Sequence, residues 1–165
     1  MHKTILIHLH VGALLLGGTA LFSKLIPFSA VDIIAYRALI CGFVLLLIAL
    51  TFKHQLVFKN IKLSLLLIFC SILFAVHWTA YFQAMQLSSV AIGIIAMFTF
   101  PVMTVFLEPL IKKSQLHYQD ALMGAIVLIG VALLVPTFSL NNDITAGVAF
   151  GLLSALAVAL RNILV

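Results

Sequence analysis

Long apolar stretches, separated by short polar segments, form almost the whole chain. A helix of about 20 mostly apolar residues is long enough to cross a bilayer. The side chains do not alternate with the period of two that a membrane barrel requires, because the stretches are apolar on every face. The pattern therefore predicts an all-α, polytopic bundle of six transmembrane spans. They cover approximately residues 5–25, 30–52, 61–85, 88–111, 119–135 and 145–165.

Polar residues mark several span ends. Ser29 is suited to cap the second span, and Asp32, three residues later, supplies the acidic half of a capping box. The apolar run 61–111 is too long for one crossing, and the polar segment 86–89 predicts a turn that divides it. Pro136 ends the fifth span. The first stretch is long enough to span and no small-residue cleavage site follows it, which indicates an uncleaved helix rather than a signal peptide.

The lysines and arginines lie mostly at alternate ends of the spans, and cytoplasmic loops are enriched in these residues. Lys24 lies on one side of the membrane and Arg37 within a span. The cations that share the opposite side, if the chain threads back and forth, are Lys3, Lys53, Lys59, Lys62, Lys112, Lys113 and Arg161. This asymmetry predicts a multi-pass protein of the cell membrane (plasma or inner membrane) with a cytoplasmic N-terminus.

Composition indicates that the lipid bilayer is the solvent of this chain. Hydrophobic residues make up 65% of it and charged residues 8%, whereas soluble domains carry about 25% charge. The net charge of +5 does not indicate nucleic-acid binding, because the cations are spread over loop ends and fit an anionic leaflet better. No cysteine pair resembles a zinc site, and no Gly-rich loop with Lys-Ser/Thr is present. We therefore expect neither a metal nor a cofactor.

The last apolar stretch continues to Val165 without a polar segment, which predicts a longer polypeptide. A displacement of 135 residues aligns Gly12 with Gly147, Thr19 with Ser154, Ala20 with Ala155 and Leu21 with Leu156. Because five spans separate the two segments, the second enters the membrane from the opposite side. This is the pattern of an inverted repeat, which is common among secondary transporters. The alternative is a chance match between two helices rich in Leu, Ala and Gly.

One segment and a few isolated residues resemble a known family. The segment is HWTAYFQAMQLSSVA, residues 77–91. With Arg37 before it and Pro101, Glu108, Gly124 and Gly130 after it, it resembles the first half of an EamA-type transporter of the drug/metabolite transporter superfamily. The resemblance extends from about Gly12 to Arg161. It rests on the order and lengths of the spans as much as on any single residue.

The resemblance implies a ten-span protein built from two inverted five-span repeats, with both termini in the cytoplasm. Residues 5–136 would form the first repeat, and residues 145–165 the first helix of a truncated second repeat. Members export or import small organic solutes without a nucleotide, so a proton or ion gradient is the expected driving force. The chain departs from the family in its length, because it contains one full repeat instead of two. A single repeat is expected to work only as a homodimer.

Arg37 is the first candidate for the substrate pathway. It lies roughly 10 Å inside the second span by helix rise, where a charge costs about 2.5–3.5 kcal/mol on insertion scales. It either binds an anion or gates the external mouth, or its side chain extends to the outer headgroups.

His77 is the second candidate. It shares a helical face with Cys70, Tyr81, Ala84 and Ser88, and such a polar stripe is expected to face the bundle interior or a water-filled cavity. There it binds solute or relays a proton, since imidazole titrates near neutral pH. The alternative is a neutral histidine that hydrogen-bonds a neighbouring helix.

Further pathway candidates are aromatic or hydroxyl side chains. Trp78 and Tyr81 stack on a solute or pack against other rings. Thr19 and Ser23 line a cavity or bond back to their own helix. Pro101 interrupts the fourth span by freeing the carbonyl of the residue four before it, and broken helices at mid-membrane often line binding sites. The alternative is a kink needed only for packing.

One charged pair and a set of glycines are expected to have structural roles. Glu108 and Lys112 are four residues apart in the order that favours an ion pair; the alternative is an inner gate in which Glu108 takes up a proton. Six glycines are expected to let helices approach closely: Gly17, Gly18, Gly124, Gly130, Gly147 and Gly151.

A transporter that works by alternating access is the leading function, and no enzymatic activity is expected. An intramembrane enzyme using His77 or a serine stays open, although Gly-x-Ser-x-Gly and His-Glu-x-x-His are absent from the sequence. A non-transporting scaffold or accessory protein also stays open, but it does not explain Arg37 and His77 at mid-membrane.

Overall fold

A computed structural model describes residues 2–52, 60–113, 115–134 and 142–165, and every regular element in them is an α-helix. The helices are α1 (His2–Leu25), α2 (Ala30–Thr51), α3 (Ile61–Leu87), α4 (Val90–Met97), α5 (Phe100–Lys112), α6 (Tyr118–Ala132) and α7 (Asp143–Leu164). The predicted all-α bundle is confirmed.

Five segments in the described ranges are long and apolar enough to cross a membrane, namely Thr4–Leu25, Ala30–Thr51, Ile61–Leu87, Val90–Lys112 and Asp143–Leu164. Helix α6 is apolar but has only 15 residues. The predicted end of its span at Pro136, and the basic loop that contains Lys53 and Lys59, lie outside the described residues. The chain is a multi-pass membrane protein.

The surface of the bundle is apolar, and many of the buried residues at its centre are small, although Phe82 and Met85 are also fully buried. Leu14 and Leu39, for example, are 77% and 69% exposed, which suits side chains that contact lipid. In contrast, Ala84, Ala155 and Ala159 are fully buried. Lipid tails are as apolar as leucine, so close backbone packing rather than exclusion of water holds such helices together.

Helix α7 lies at the centre, where it packs against α3, α4 and α5. It runs antiparallel to α3, because residues near the start of one helix contact residues near the end of the other. The contacting pairs are Gly147 with Ser88, Ser154 with His77, and Arg161 with Phe74.

Glycines account for the closeness of α7 to its neighbours. A Cβ added at Gly147 would collide with the Ser88 side chain, and one at Gly151 would collide with the Cβ of Ala96. At Gly124 an added Cβ would lie 2.8 Å from the Phe106 ring. The expectation of close approach is confirmed at these three positions. It is wrong for three others, since an added Cβ would meet no described atom within 4 Å at Gly17, Gly18 or Gly130.

The fourth span is interrupted at Phe98 and Thr99, between α4 and α5. Pro101 occupies the first turn of α5, where its missing N–H is not needed. Thr99 is fully buried, and its hydroxyl donates to the carbonyl of Ala96 at 2.7 Å. The break therefore occurs directly before the proline, as the sequence predicts.

Polar contacts at the opposite end from Lys112 join two turns. The Lys24 ammonium donates to the carbonyls of Gln86 and Ser88, at 2.9 and 3.2 Å. The Gln86 amide donates in return to the carbonyl of Phe28 at 2.8 Å. Next to these contacts, Ser29 caps α2 as predicted, because the backbone N–H of Asp32 donates to its hydroxyl oxygen. The Asp32 carboxylate accepts from that hydroxyl at 2.6 Å, which is not the backbone contact that completes a capping box. These contacts place the end of α1 beside the end of α3, so α1 is parallel to α3 and opposite in direction to α7.

Candidate functional site

Five rings on consecutive turns of α3 form an aromatic cluster, which consists of Phe74, His77, Trp78, Tyr81 and Phe82. Residues three and four apart on a helix are neighbours, and this spacing brings the rings together. Centroid separations at this spacing are 6.0 Å for Phe74–Trp78 and 6.2 Å for His77–Tyr81, and the sequence neighbours His77 and Trp78 are 5.4 Å apart. Such distances are typical of favourable aromatic pairs. The cluster forms a continuous π surface along the middle of α3.

Arg37 of α2 lies on this cluster. Its guanidinium carbon is 4.2 Å from the centroid of the Trp78 ring, which is cation–π geometry. Its Nη1 is buried and has no hydrogen-bond partner among the described residues. The charge therefore contacts a π face but keeps N–H groups without an acceptor.

A groove between α2 and α3 opens beside this guanidinium. Its volume is about 310 Å³, near the low end of the range of about 300–1,000 Å³ for small-molecule sites. Ile34 and Cys41 contribute its α2 wall, and Phe74 and Trp78 its α3 wall. We call it the Arg37 groove.

His77 faces α7 and is 7% exposed. Its Nδ1 lies 2.8 Å from the Ser154 hydroxyl oxygen and 3.2 Å from the Ser154 carbonyl oxygen. Because a carbonyl oxygen only accepts, the tautomer with a proton on Nδ1 donates toward both atoms. His77 thus bonds a neighbouring helix, as the alternative interpretation has it. Proton relay by His77 stays a prediction.

Tyr81 completes the buried face of α3 and is 8% exposed. Its ring is parallel to that of His77 within 3°, and it packs in a core with Ala20, Ile33 and Met85. The predicted polar stripe is indeed buried, since Cys70, His77 and Ala84 are also inaccessible. In this arrangement Tyr81 packs in the core, and of the two sequence-predicted rings Trp78 lines the Arg37 groove, beside Phe74.

The two hydroxyl candidates on α1 bond to their own helix. Thr19 donates to the Leu15 carbonyl at 3.0 Å and Ser23 to the Ala20 carbonyl at 2.7 Å. Neither residue lines the Arg37 groove. The structure therefore does not bring them to the other candidates.

Pro101, Glu108 and Lys112 also lie away from the groove. Lys112 donates to Glu108 at 3.2 Å, and the two side chains are 52% and 43% exposed. This is the ion pair that the i, i+4 spacing predicts. The gating role of the pair stays a prediction, as does the part of Pro101 in the substrate pathway.

Sequence reasoning missed three contributors to the site. Ser154 was aligned with Thr19 but not identified as the partner of His77. Phe74 had no role, although it lies one turn before Trp78 on the same face. Arg161 was placed only among the cations of one membrane side, whereas its guanidinium carbon lies 4.8 Å from the Phe74 ring centroid. The aromatic spacing on α3 was a usable signal, but which helices would cover it was not visible in the sequence.

Comparisons with known proteins identify a family. The profile of the EamA-like transporter family matches residues 3–135. The match includes Arg37 and the aromatic cluster, and α7 lies beyond it. Comparisons with curated proteins and with solved structures gave no match.

Proposed function

This chain belongs to the EamA-like transporter family, and on that premise we propose that it is a secondary active transporter of a small organic solute. It acts by alternating access, as exporter or permease, and has no enzymatic activity. The solute pathway passes the Arg37 groove. Trp78 contacts the solute, and His77 positions the aromatic cluster against α7.

One observation carries this proposal. The Arg37 guanidinium, whose Nη1 has no hydrogen-bond partner among residues 2–52, 60–113, 115–134 and 142–165, lies on an aromatic surface inside a membrane-spanning bundle. Ionisable groups within spans are costly, and they mark substrate or ion pathways. A purely structural arginine would have its N–H groups satisfied by acceptors, because an unsatisfied charged donor is expensive to bury.

Alternating access needs two structural units that move against each other. We propose that residues 5–136 are one inverted repeat and residues 145–165 the first helix of a second. The opposite directions of α1 and α7 support this assignment. The second unit is supplied either by a continuation of the chain or by a homodimer.

We further propose that a proton or another ion drives transport and that the N-terminus is cytoplasmic, in the plasma or inner membrane. The interruption between α4 and α5 supports a transport mechanism in which this span moves, because broken helices provide hinges and expose backbone groups to a pathway. The partners of the chain are then the bilayer, the solute and the coupling ion, and no nucleic acid.

Uptake into proteoliposomes tests the function. Purified protein is reconstituted, and a panel of labelled carboxylates, amines and amino acids is offered under an imposed proton gradient. We expect saturable uptake of at least one class, which falls when an ionophore collapses the gradient. Uptake no greater than in protein-free vesicles for the whole panel contradicts the proposal. Gradient-independent hydrolysis of a lipid or peptide would favour an enzyme instead.

A matched pair of variants tests the pathway. Trp78→Leu removes the ring that lines the groove, and we expect uptake to fall at least about tenfold, the scale of one lost cation–π and stacking contact. Phe69→Leu changes an aromatic residue on the same helix that is 50% exposed and should leave uptake unchanged. Equal uptake by both variants would remove Trp78 from the pathway while leaving transport intact.

A further inference from the structure

The charge balance around Arg37 points to the class of ligand. The chain has four acidic residues in total, and all of them lie in the described ranges. Glu108 pairs with Lys112, and Asp32 bonds the Ser29 hydroxyl at 2.6 Å. Asp120 and Asp143 lie in the first turns of α6 and α7. No carboxylate is therefore placed within ion-pair distance of Arg37 among the described residues.

The contact with Trp78 does not complete the site. A π face attracts the positive charge, but it offers no lone pair to the five N–H groups of a guanidinium. Nη1 is nonetheless buried and has no hydrogen-bond partner in the part of the chain that the structure describes. The missing component is an acceptor with negative charge, and a carboxylate matches the guanidinium fork with two parallel hydrogen bonds.

The lining of the groove limits the rest of the ligand. Arg37 is the only charged side chain among the lining residues, so a second negative charge on the ligand would have no counterion. Ser71 also lines it, but its hydroxyl donates to the Leu67 carbonyl at 2.8 Å. The walls are otherwise apolar or aromatic. They suit a compact hydrocarbon body and do not suit a sugar or a polyamine.

We propose that the Arg37 groove binds a small organic monoanion, a carboxylate that carries an aromatic or branched aliphatic body. The carboxylate accepts from Arg37, and the body packs on Trp78 and Phe74. The claim that this ligand binds depends only on the groove. The claim that the same ligand is the transported substrate rests on the proposed function.

An anionic lipid offers similar chemistry, since its phosphate is also an oxyanion attached to an apolar body. The small volume and the position between two helices favour a free solute. The two sources are separated by the choice of vesicle lipid.

The chain contains a single tryptophan, Trp78, so its fluorescence reports directly on the groove. The full chain is reconstituted in phosphatidylcholine vesicles and titrated with benzoate and with 3-methylbutanoate. The neutral amides of both acids serve as matched controls. We expect a saturable change in Trp78 emission with at least one carboxylate, and none with its amide.

Variants tie this change to the guanidinium. Arg37→Gln should raise the Kd of the carboxylate at least about tenfold, as expected for the loss of a charge-assisted pair. Arg37→Lys, which keeps the charge without the fork, should give an intermediate Kd. Lys62→Gln removes an exposed cation elsewhere and should leave the Kd unchanged. An unchanged Kd in Arg37→Gln overturns the proposal.

Three further outcomes also overturn it. The first is the absence of a saturable response to either carboxylate. The second is an equal response to the acid and to its amide. The third is a response to phosphatidylglycerol, but not to the carboxylates, which is lost in the Arg37→Gln variant. The last result would assign the groove to a lipid headgroup. Carboxylate binding without uptake would count against the proposed transport function alone, whereas uptake of another solute class without carboxylate binding would count against this inference alone.

Discussion

At the scale of single residues, the contact between His77 and Ser154 joins the aromatic cluster to the central helix. Both side chains are buried, at 7% and 0% exposure, so water does not compete for the hydrogen bond. Trp78 is the next residue on α3 and faces α2, but its ring centroid lies 5.4 Å from that of His77. The contact with Ser154 therefore restrains a ring that packs against the one lining the Arg37 groove.

A double-mutant cycle measures this contact. We expect His77→Ala and Ser154→Ala to be coupled by about 0.6 kcal/mol, with an upper limit near 1.7 kcal/mol, as for other hydrogen bonds between membrane helices. The measurement is the free energy of unfolding in mixed detergent micelles for the two single variants and the double variant. Thr104→Ala is the control, because its hydroxyl donates within α5 to Phe100, and it should show no coupling to His77. Because Ser154→Ala keeps the backbone carbonyl, a coupling of zero would show that the hydrogen bond to the Ser154 hydroxyl contributes no stability.

The contacts of individual side chains were predicted from the sequence only in part. Helical periodicity placed Cys70, His77 and Tyr81 on one face, and that face is buried. Periodicity carries no information about which neighbour covers a face, so Ser154 and Arg161 were not identified as partners. Local contacts were more predictable, since the back-bonds of Thr19 and Ser23 and the Glu108–Lys112 pair depend only on spacing along one helix.

At the scale of helices, the distance between α7 and its neighbours depends on glycines at specific positions. Small residues let membrane helices approach closely, but the sequence does not distinguish a glycine at an interface from one that faces lipid. Gly151 contacts Ala96, whereas Gly130 has open space where its Cβ would be. Their similar sequence surroundings explain why both were predicted to pack. The interruption before Pro101 was predicted from the missing N–H of proline. The same rule does not locate every break, since Pro109 lies inside α5.

Two alanine substitutions test this distinction. Gly151→Ala should lower the free energy of unfolding by about 1–3 kcal/mol, since the new methyl group overlaps Ala96 and forces the helices apart. Gly130→Ala should leave it unchanged or raise it by at most about 1 kcal/mol, the helix-propensity difference. Unfolding of both variants in mixed micelles provides the measurement. An equal loss for the two variants would contradict the central packing of α7.

At the scale of the whole molecule, the threading of the chain and its charges agree. The hydrogen bond from Lys24 to the Gln86 carbonyl and the contact of Gly147 with Ser88 place the starts of α2, α4 and α7 at one end of the bundle. Helix α5 ends with the Lys112–Glu108 pair at the other end. Among the described basic residues, Lys62, Lys112, Lys113 and Arg161 lie toward the end opposite to Lys24. The positive-inside rule predicts that this end is cytoplasmic.

Cysteine labelling tests this orientation. The two native cysteines, Cys41 and Cys70, are first replaced by alanine, and Phe28→Cys or Gln115→Cys is then introduced at an exposed position on opposite ends of the bundle. In intact cells a membrane-impermeant maleimide should label Phe28→Cys at once and Gln115→Cys only after permeabilisation, if the Gln115 side is cytoplasmic as the positive-inside rule predicts. The reverse pattern would invert the assigned orientation. Labelling of both variants in intact cells would mean that the chain inserts in two orientations, which is the arrangement that an antiparallel homodimer of inverted repeats requires.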